Sequence, residues 1–165
     1  ITVHSKHGKG TTFIVEIPME LTNAIPAAKT NGTAKRNSLD GLNILLVEDN
    51  DLNAEIAQII LEKEKAAITR VSNRKQAVEA FEEKLAGTFD LILMDIMMPQ
   101  MNGYEATKAI RGLKNRPDGK EIPIIAMTAN AFAEDIQAAL DAGMNDHIAK
   151  PINIDDVIKT ILRNL

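Results

Sequence analysis

LILMD at residues 91–95 is the stretch that decides the fold. Four large apolar residues in succession stop on Asp95, and Asp90 closes the run on its other side. A strand with one wet face alternates apolar and polar side chains. A run that is apolar at every position suits a parallel strand covered on both faces. Bounded by two aspartates, it is also far too short to span a bilayer. Ile44-Leu45-Leu46-Val47 reads the same way and likewise ends on acid, at Glu48-Asp49.

Outward from these two runs, short apolar stretches alternate with helical spacing. Ile56, Ile60 and Leu61 predict a helix after the first strand, Ala67 to Val71 a weaker second strand, and Val78, Phe81 and Leu85 a second helix. After the third strand, Ala106, Ile110 and Leu113 mark a helix, Ile124 to Met127 a fourth strand, and Phe132, Ile136 and Leu140 a helix. That helix stops at Ala142-Gly143, where glycine can take the left-handed cap conformation. A short fifth strand at His147-Ile148 precedes Asn153, placed as the N-cap of a helix carrying Val157, Ile158, Ile161 and Leu162. Five successive βα units with right-handed crossovers give an α/β fold, a doubly wound parallel sheet between two helical layers.

The first forty residues differ in kind. Residues 1–39 hold Lys6, Lys9, Lys29, Lys35 and Arg36 against Glu16 and Glu20, a balance of +3, whereas the whole chain carries −4. The remainder is therefore at −7, which argues against nucleic acid as its partner, since phosphate neutralisation needs clustered Lys and Arg. Residues 22–38, TNAIPAAKTNGTAKRNS, offer almost nothing to bury and read as a flexible linker. Before it, Thr11 to Ile17 alternates, with Phe13, Val15 and Ile17 on one face, and Gly8-Lys9-Gly10 supplies a turn back to a partner strand at Ile1 to Ser5. A lone hairpin is marginal in water, so residues 1–20 are expected to be the stub of a neighbouring domain, 21–40 the linker and 41–165 the folded body. With no initiating Met, the chain reads as cut from a longer parent.

The chain has no Cys, which removes thiol nucleophiles, disulfides and Cys-ligated metals, and three His are too few for a His-rich metal cage. What remains is oxygen chemistry. Ligands of a doubly wound sheet bind at the carboxyl ends of its strands. Glu48 and Asp49 follow the first strand, Asp95 the third, Thr128 the fourth and Lys150 the fifth. Singly, each has an ordinary explanation: a helix cap, a strand-end turn, a structural hydroxyl, a surface lysine. Jointly, three carboxylates on one rim repel each other unless a cation offsets them, and an all-oxygen set without the D-x-D-x-D-G loop favours Mg²⁺ over Ca²⁺. A metal, a free carboxylate, an ammonium and a hydroxyl are the parts needed to move a phosphoryl group.

VEDN at 47–50, LILMDIMMPQMNGYE at 91–105, AMTANA at 126–131 and DHIAKPI at 146–152 resemble the receiver domain of two-component signalling proteins. The resemblance implies a flavodoxin-like (βα)5 sheet in the order 2-1-3-4-5. It makes Asp95 the phosphoacceptor for a phosphohistidine, with Glu48, Asp49, Asp95 and the Met97 backbone carbonyl holding Mg²⁺. Lys150 and Thr128 would engage the phosphoryl oxygens, and a cis peptide before Pro151 would aim Lys150 inward. The residue three before the lysine is usually Tyr or Phe in this family and rotates when Thr128 moves. Here it is His147, expected to keep that switch role and to add pH sensitivity, or else to be a substitution without titration effect.

IxVxSxxGKGTTFxVxIP at 1–18 resembles the last strands of a histidine-kinase ATP-binding domain, whose turn, here Gly8 and Gly10, helps close over nucleotide. It is not a Walker A loop. Kinase end, linker and receiver in that order resemble a hybrid sensor histidine kinase. The implied partners are a histidine kinase or a histidine phosphotransfer domain, with ATP engaged through the absent kinase domain. Neither nucleic acid nor direct membrane contact is expected of this fragment, which would be cytoplasmic even where its parent is membrane-anchored. The fragment would catalyse its own phosphorylation and hydrolysis, and the parent would be a protein-histidine kinase. Two rivals stand beside this reading: a Mg²⁺-dependent phosphohydrolase, though the first strand is followed by Glu48-Asp49-Asn50 and Asp95 by Ile96-Met97, and a receiver used only for docking. An FMN site is disfavoured by the 3% aromatic content.

Overall fold

The structure is a computed structural model and describes residues 1–6, 8–16, 38–98, 103–129 and 132–165. It divides into two compact units, Ile1–Thr33 and Ala34–Leu165.

In the first unit, β1 (Thr2–Lys6) and β2 (Gly10–Ile14) pair antiparallel, Thr2 opposite Ile14 and Lys6 opposite Gly10. Gly8 and Gly10 both take positive φ, +72° and +101°, which lets so short a turn close. Every described side chain here is exposed, Val3 and Phe13 included. The second strand ends at Ile14 rather than at Ile17, which lies outside the described residues; among the described residues the sheet has two strands, which leaves little to hold their ends. The expected linker also falls mostly outside the described residues.

The second unit alternates strand and helix: β3 (Asn43–Val47), α1 (Asp51–Lys63), β4 (Ala67–Val71), α2 (Arg74–Glu83), β5 (Leu91–Asp95), α3 (Gly103–Arg111), β6 (Ile124–Thr128), α4 (Ala133–Asp141), β7 (Asp146–Ala149) and α5 (Ile154–Asn164). The five strands are parallel in the order β4-β3-β5-β6-β7, which is 2-1-3-4-5 counted within this unit. This is the doubly wound flavodoxin-like sheet.

Side-chain alternation builds its two cores. Leu45, Val47, Ile92, Met94, Ile124 and Ala126 face α2, α3 and α4, meeting Ala77, Phe81, Ala106, Ile110 and Ala139. Ile44, Leu46, Leu91, Leu93, Ile125 and Met127 face α1 and α5, meeting Ala54, Ala57, Leu61, Val157 and Ile161. Central strand β5 is buried throughout, as its uninterrupted apolar run requires. The caps follow the sequence: Asn50 accepts from the Asn53 amide, Asn153 from the Asp155 and Asp156 amides, and Gly143 sits at φ +96° after α4. The Lys150–Pro151 peptide is cis.

Two helix positions depart from expectation. Leu85 lies beyond the end of α2 and is exposed, because the buried guanidinium of Arg116 stacks on the Phe81 ring and donates to the Lys84 carbonyl at 2.8 Å, holding the chain extended there. Ile56 faces outward on α1, whose buried stripe is Ala54, Ala57 and Leu61. No helix among the described residues is long and apolar enough to cross a membrane.

Candidate functional site

Chain order reverses between β3 and β5: from β3 the chain moves outward to β4, then returns to build β5, β6 and β7 on the other side. The carboxyl ends of these central strands therefore open a crevice. Glu48 and Asp49 leave β3, Asp95 ends β5 and Thr128 ends β6. The parallel register sets Val47 beside Met94, Asp95 beside Met127, and Thr128 beside Ala149, so the strand ends step round one rim.

The rim is drawn close by backbone. Gly103, at the start of α3, donates its amide to the Ile96 carbonyl at 3.1 Å, and a Cβ there would lie 2.3 Å from the Asp95 carbonyl oxygen. Only glycine lets the chain return that near to Asp95. The Lys150 amide donates to the Thr128 carbonyl at 2.7 Å, tying the residue after β7 to the end of β6.

Carboxylate oxygens of Glu48, Asp49 and Asp95 lie within 4.8 Å of one another. Glu48 and Asp95 are buried at 1% and 3% exposure, and Asp49 is half-buried. At such a separation each carboxylate pair repels by about 3–4 kcal/mol for an effective dielectric of about 20. One cation sits among them: Lys150 Nζ donates to Glu48 Oε2 at 2.6 Å and lies 2.8 Å from Asp95 Oδ2. Burial alone would lower the Lys150 ammonium, but its bonds to Asp95 and Glu48 outweigh this and hold it above the ordinary lysine range. Burial raises the Glu48 carboxyl above its usual value, against the lowering effect of the Lys150 contact. Among the described residues, three carboxylates face one ammonium, a surplus of two negative charges, and the clustered side-chain ligand atoms are hard oxygens. That donor set fits a small divalent cation.

Asp95 also accepts from the Met97 amide, 3.1 Å from Oδ1, so the backbone at Met97 is tied to the same carboxylate while its side chain is exposed. Thr128 is buried at 3%. His147 stands apart from the carboxylates, on edge strand β7 opposite Ala126; its side chain is one-third exposed and borders a cavity of about 270 Å³ with Ile136, Leu140 and Asp146. Gly8 and Gly10 belong to the hairpin unit.

Two residues of this site escape a reading of the sequence by strand ends. Gly103 is one. Asn53, in the first turn of α1, is the other: its Nδ2 donates to Glu48 Oε1 at 3.2 Å. The signal for it was the spacing, an amide one helical turn after the Asn50 cap and so turned back toward the strand end.

Residues 44–162 match the family described as response regulator receiver domain. The chain belongs to that family. Among curated relatives, the receiver resembles the aerobic respiration control sensor protein ArcB of Escherichia coli, at 36% identity over 157 residues, 93% of this chain and 19% of the relative. It resembles histidine kinase 1 of Arabidopsis thaliana at 37% identity, over 77% of this chain and 13% of the relative. The chain thus spans less than a fifth of either. Among solved structures, the receiver domain of sensor histidine kinase PA1611 from Pseudomonas aeruginosa PAO1 is 40% identical with a TM-score of 0.66, covering 74% of this chain and 96% of that one; it carries a magnesium ion coordinated in its active site cleft. The receiver domain of Saccharomyces cerevisiae Ssk1, crystallised with the histidine phosphotransfer protein Ypd1, is 33% identical with a TM-score of 0.62 over 73% of this chain and 86% of that one. The receiver described here shares its fold with both, and its homologues include receivers of histidine kinases.

Proposed function

We propose that this receiver accepts a phosphoryl group from phosphohistidine onto Asp95 in a Mg²⁺-dependent step of a phosphorelay, as part of a hybrid sensor histidine kinase. The observation that carries this is the rim itself: three carboxylates within 4.8 Å, two of them buried, around one lysine. Neither an inert turn nor a helix cap calls for that much uncompensated charge.

Glu48, Asp49 and Asp95, with the Met97 carbonyl, would hold Mg²⁺. When bound, the ion supplies charge neutralisation and a template for the phosphoryl oxygens. Asp95 attacks phosphorus with a carboxylate oxygen; the P–N bond to the donor imidazole breaks, a P–O bond forms, and the imidazole leaves with a proton taken from solvent. Lys150, at 2.8 Å from Asp95, would transfer its contact to the incoming phosphoryl oxygens, and Thr128, at the end of the next strand, would offer its hydroxyl. Drawing Thr128 inward would bias the packing of α4, β7 and α5, with His147 on the moving face.

A donor needs a surface beside the rim. Leu52, Ile56 and Ile59 form an exposed apolar stripe on α1, and a cleft of about 410 Å³ lined by Asn53, Ile56, Ala129, Lys150, Pro151 and Ile152 continues it toward Lys150. A histidine phosphotransfer domain or histidine kinase with an apolar helical face would suit it. Residues 1–20 are assigned to the end of the kinase ATP-binding domain, with Gly8 and Gly10 in its nucleotide-side turn, residues 21–40 to a linker and 41–165 to the receiver. In support, the match to ArcB covers 93% of the chain and so reaches beyond the receiver span into the first unit. ATP would then be used by the absent part of the kinase, which goes with a cytoplasmic location. A phosphohydrolase is less well supported, since Asp51, the second acid of the Asp49-Asn50-Asp51 run after β3, is exposed and paired with Arg70 while the rim cluster is Glu48, Asp49 and Asp95.

The test is labelling from phosphohistidine or acetyl phosphate with Mg²⁺. Asp95→Asn is expected to abolish it; label persisting in that variant would place the acceptor elsewhere.

A further inference from the structure

The fixed point of the carboxylate cluster is a residue outside it. Glu48 is 1% exposed and must orient two oxygens with little help from water. Oε2 takes the Lys150 ammonium at 2.6 Å. Oε1 accepts from Asn53 Nδ2 at 3.2 Å and, weakly, from the Asn50 amide at 3.4 Å. Asn53 is itself held, because its backbone amide donates to the Asn50 cap at 3.0 Å. Its side chain also borders the cleft with Lys150 and Ala129.

We propose that Asn53 is a positioning residue for phosphoryl transfer: by occupying Glu48 Oε1 it keeps Glu48 from turning both oxygens onto Lys150, and so leaves the lysine shared with Asp95. The geometry requires such a divider. Lys150 makes its contacts with Glu48 and Asp95 at 2.6 and 2.8 Å, nearly equal, and a glutamate freed at Oε1 gains by chelating the ammonium. Lys150 would then be drawn from Asp95, and the carboxylate oxygens available to a cation would change place. Residues that orient metal-binding carboxylates from outside the ligand set are typically worth about 10–100-fold in metal affinity.

The inference rests on the function proposed above, and its test keeps the two apart. In the whole receiver, Mg²⁺ binding without any phosphodonor is followed by the amide shifts of residues 48, 49 and 95, alongside the labelling rate at saturating Mg²⁺. Asn53→Ala is expected to raise the Mg²⁺ dissociation constant about tenfold and to slow labelling, and Asn53→Gln, which keeps the amide, to recover most of both. In a Glu48→Gln background Asn53→Ala should add almost nothing, because the partner through which it acts is changed. An unchanged dissociation constant in Asn53→Ala, or an equal effect in both backgrounds, overturns the proposal. Wild type that neither binds Mg²⁺ nor takes label at Asp95 would overturn the proposed function itself. Denaturation midpoints of each variant separate loss of fold from loss of position; Asn53→Ala leaves the Asn50 cap acceptor and its backbone donor in place.

Discussion

The two edges of the central sheet are both polar, and they balance their charges differently. At the amino ends of the strands, groups are matched. Arg111, half-buried, donates to the carbonyls of Gly143, Gly119 and Ile122 at 2.8–3.0 Å and to Asn145 Oδ1 at 2.9 Å. Asn145 Oδ1 also takes the Ile124 amide at 2.9 Å. Asp146 accepts from Arg163, Asn164 and the His147 amide. Burial alone would raise the Asp146 carboxyl, yet these donors hold it below the usual carboxylate range. At the carboxyl ends, three carboxylates share one ammonium. Matched polar groups lock loops in place; an unmatched surplus of one sign is a standing demand for a ligand of the other. The difference separates scaffold from site within one sheet.

The largest effect expected from disturbing this contrast is at Lys150. Lys150→Met should cost about 3 kcal/mol of stability without divalent cation, because it removes the ammonium that the buried Glu48 and Asp95 carboxylates share. Mg²⁺ should return part of that loss by binding the folded state. Arg111→Ala should cost about 2 kcal/mol by stranding several acceptors, and Mg²⁺ should return none of it. Urea denaturation of both variants with and without Mg²⁺ checks the pair. A loss in Arg111→Ala that Mg²⁺ repairs, or one in Lys150→Met that it does not, would erase the distinction between the edges.

The fold was legible because the central strands are buried on both faces. LILMD and ILLV can only be apolar runs, and each ends where the sheet ends, so the acidic residues that follow announce themselves as rim. The helix faces were less legible. Ile56 matches a core stripe by spacing but points outward with Leu52 and Ile59, since α1 lies on the sheet through Ala54, Ala57 and Leu61. The end of α2 depends on Arg116, thirty-two residues beyond Lys84 in the chain, and no local pattern encodes a contact at that distance. At the site, the charged residues could be read from strand ends, whereas Asn53 and Gly103 matter through one hydrogen bond and one close approach that exist only once the chain is folded.

The smallest effect expected is on the acid side. Asp118 is held down to about 2, chiefly by hydrogen bonds from the Arg116 guanidinium at 2.8 and 3.0 Å, with the Gly87 amide adding to them. An unfolded aspartate titrates near about 3.9. A carboxyl depressed by folding stabilises the protein above its unfolded value and loses that contribution as pH falls toward the folded one. The contribution of Asp118 is therefore complete at neutral pH and disappears between about pH 4 and pH 2, amounting to about 2 kcal/mol at most because its carboxylate is partly exposed. Asp146 acts with the same sign over the same side of the pH scale. Asp118→Asn should lower stability at pH 7 by that amount and flatten the fall in the urea midpoint on acidification. Arg116 is buried and also stacks on Phe81, so a substitution there would mix charge with packing; the aspartate is the cleaner probe. An acid slope unchanged in Asp118→Asn would mean that the matched groups at this edge contribute geometry and little charge energy, and the contrast with the rim would then rest on the rim's surplus alone.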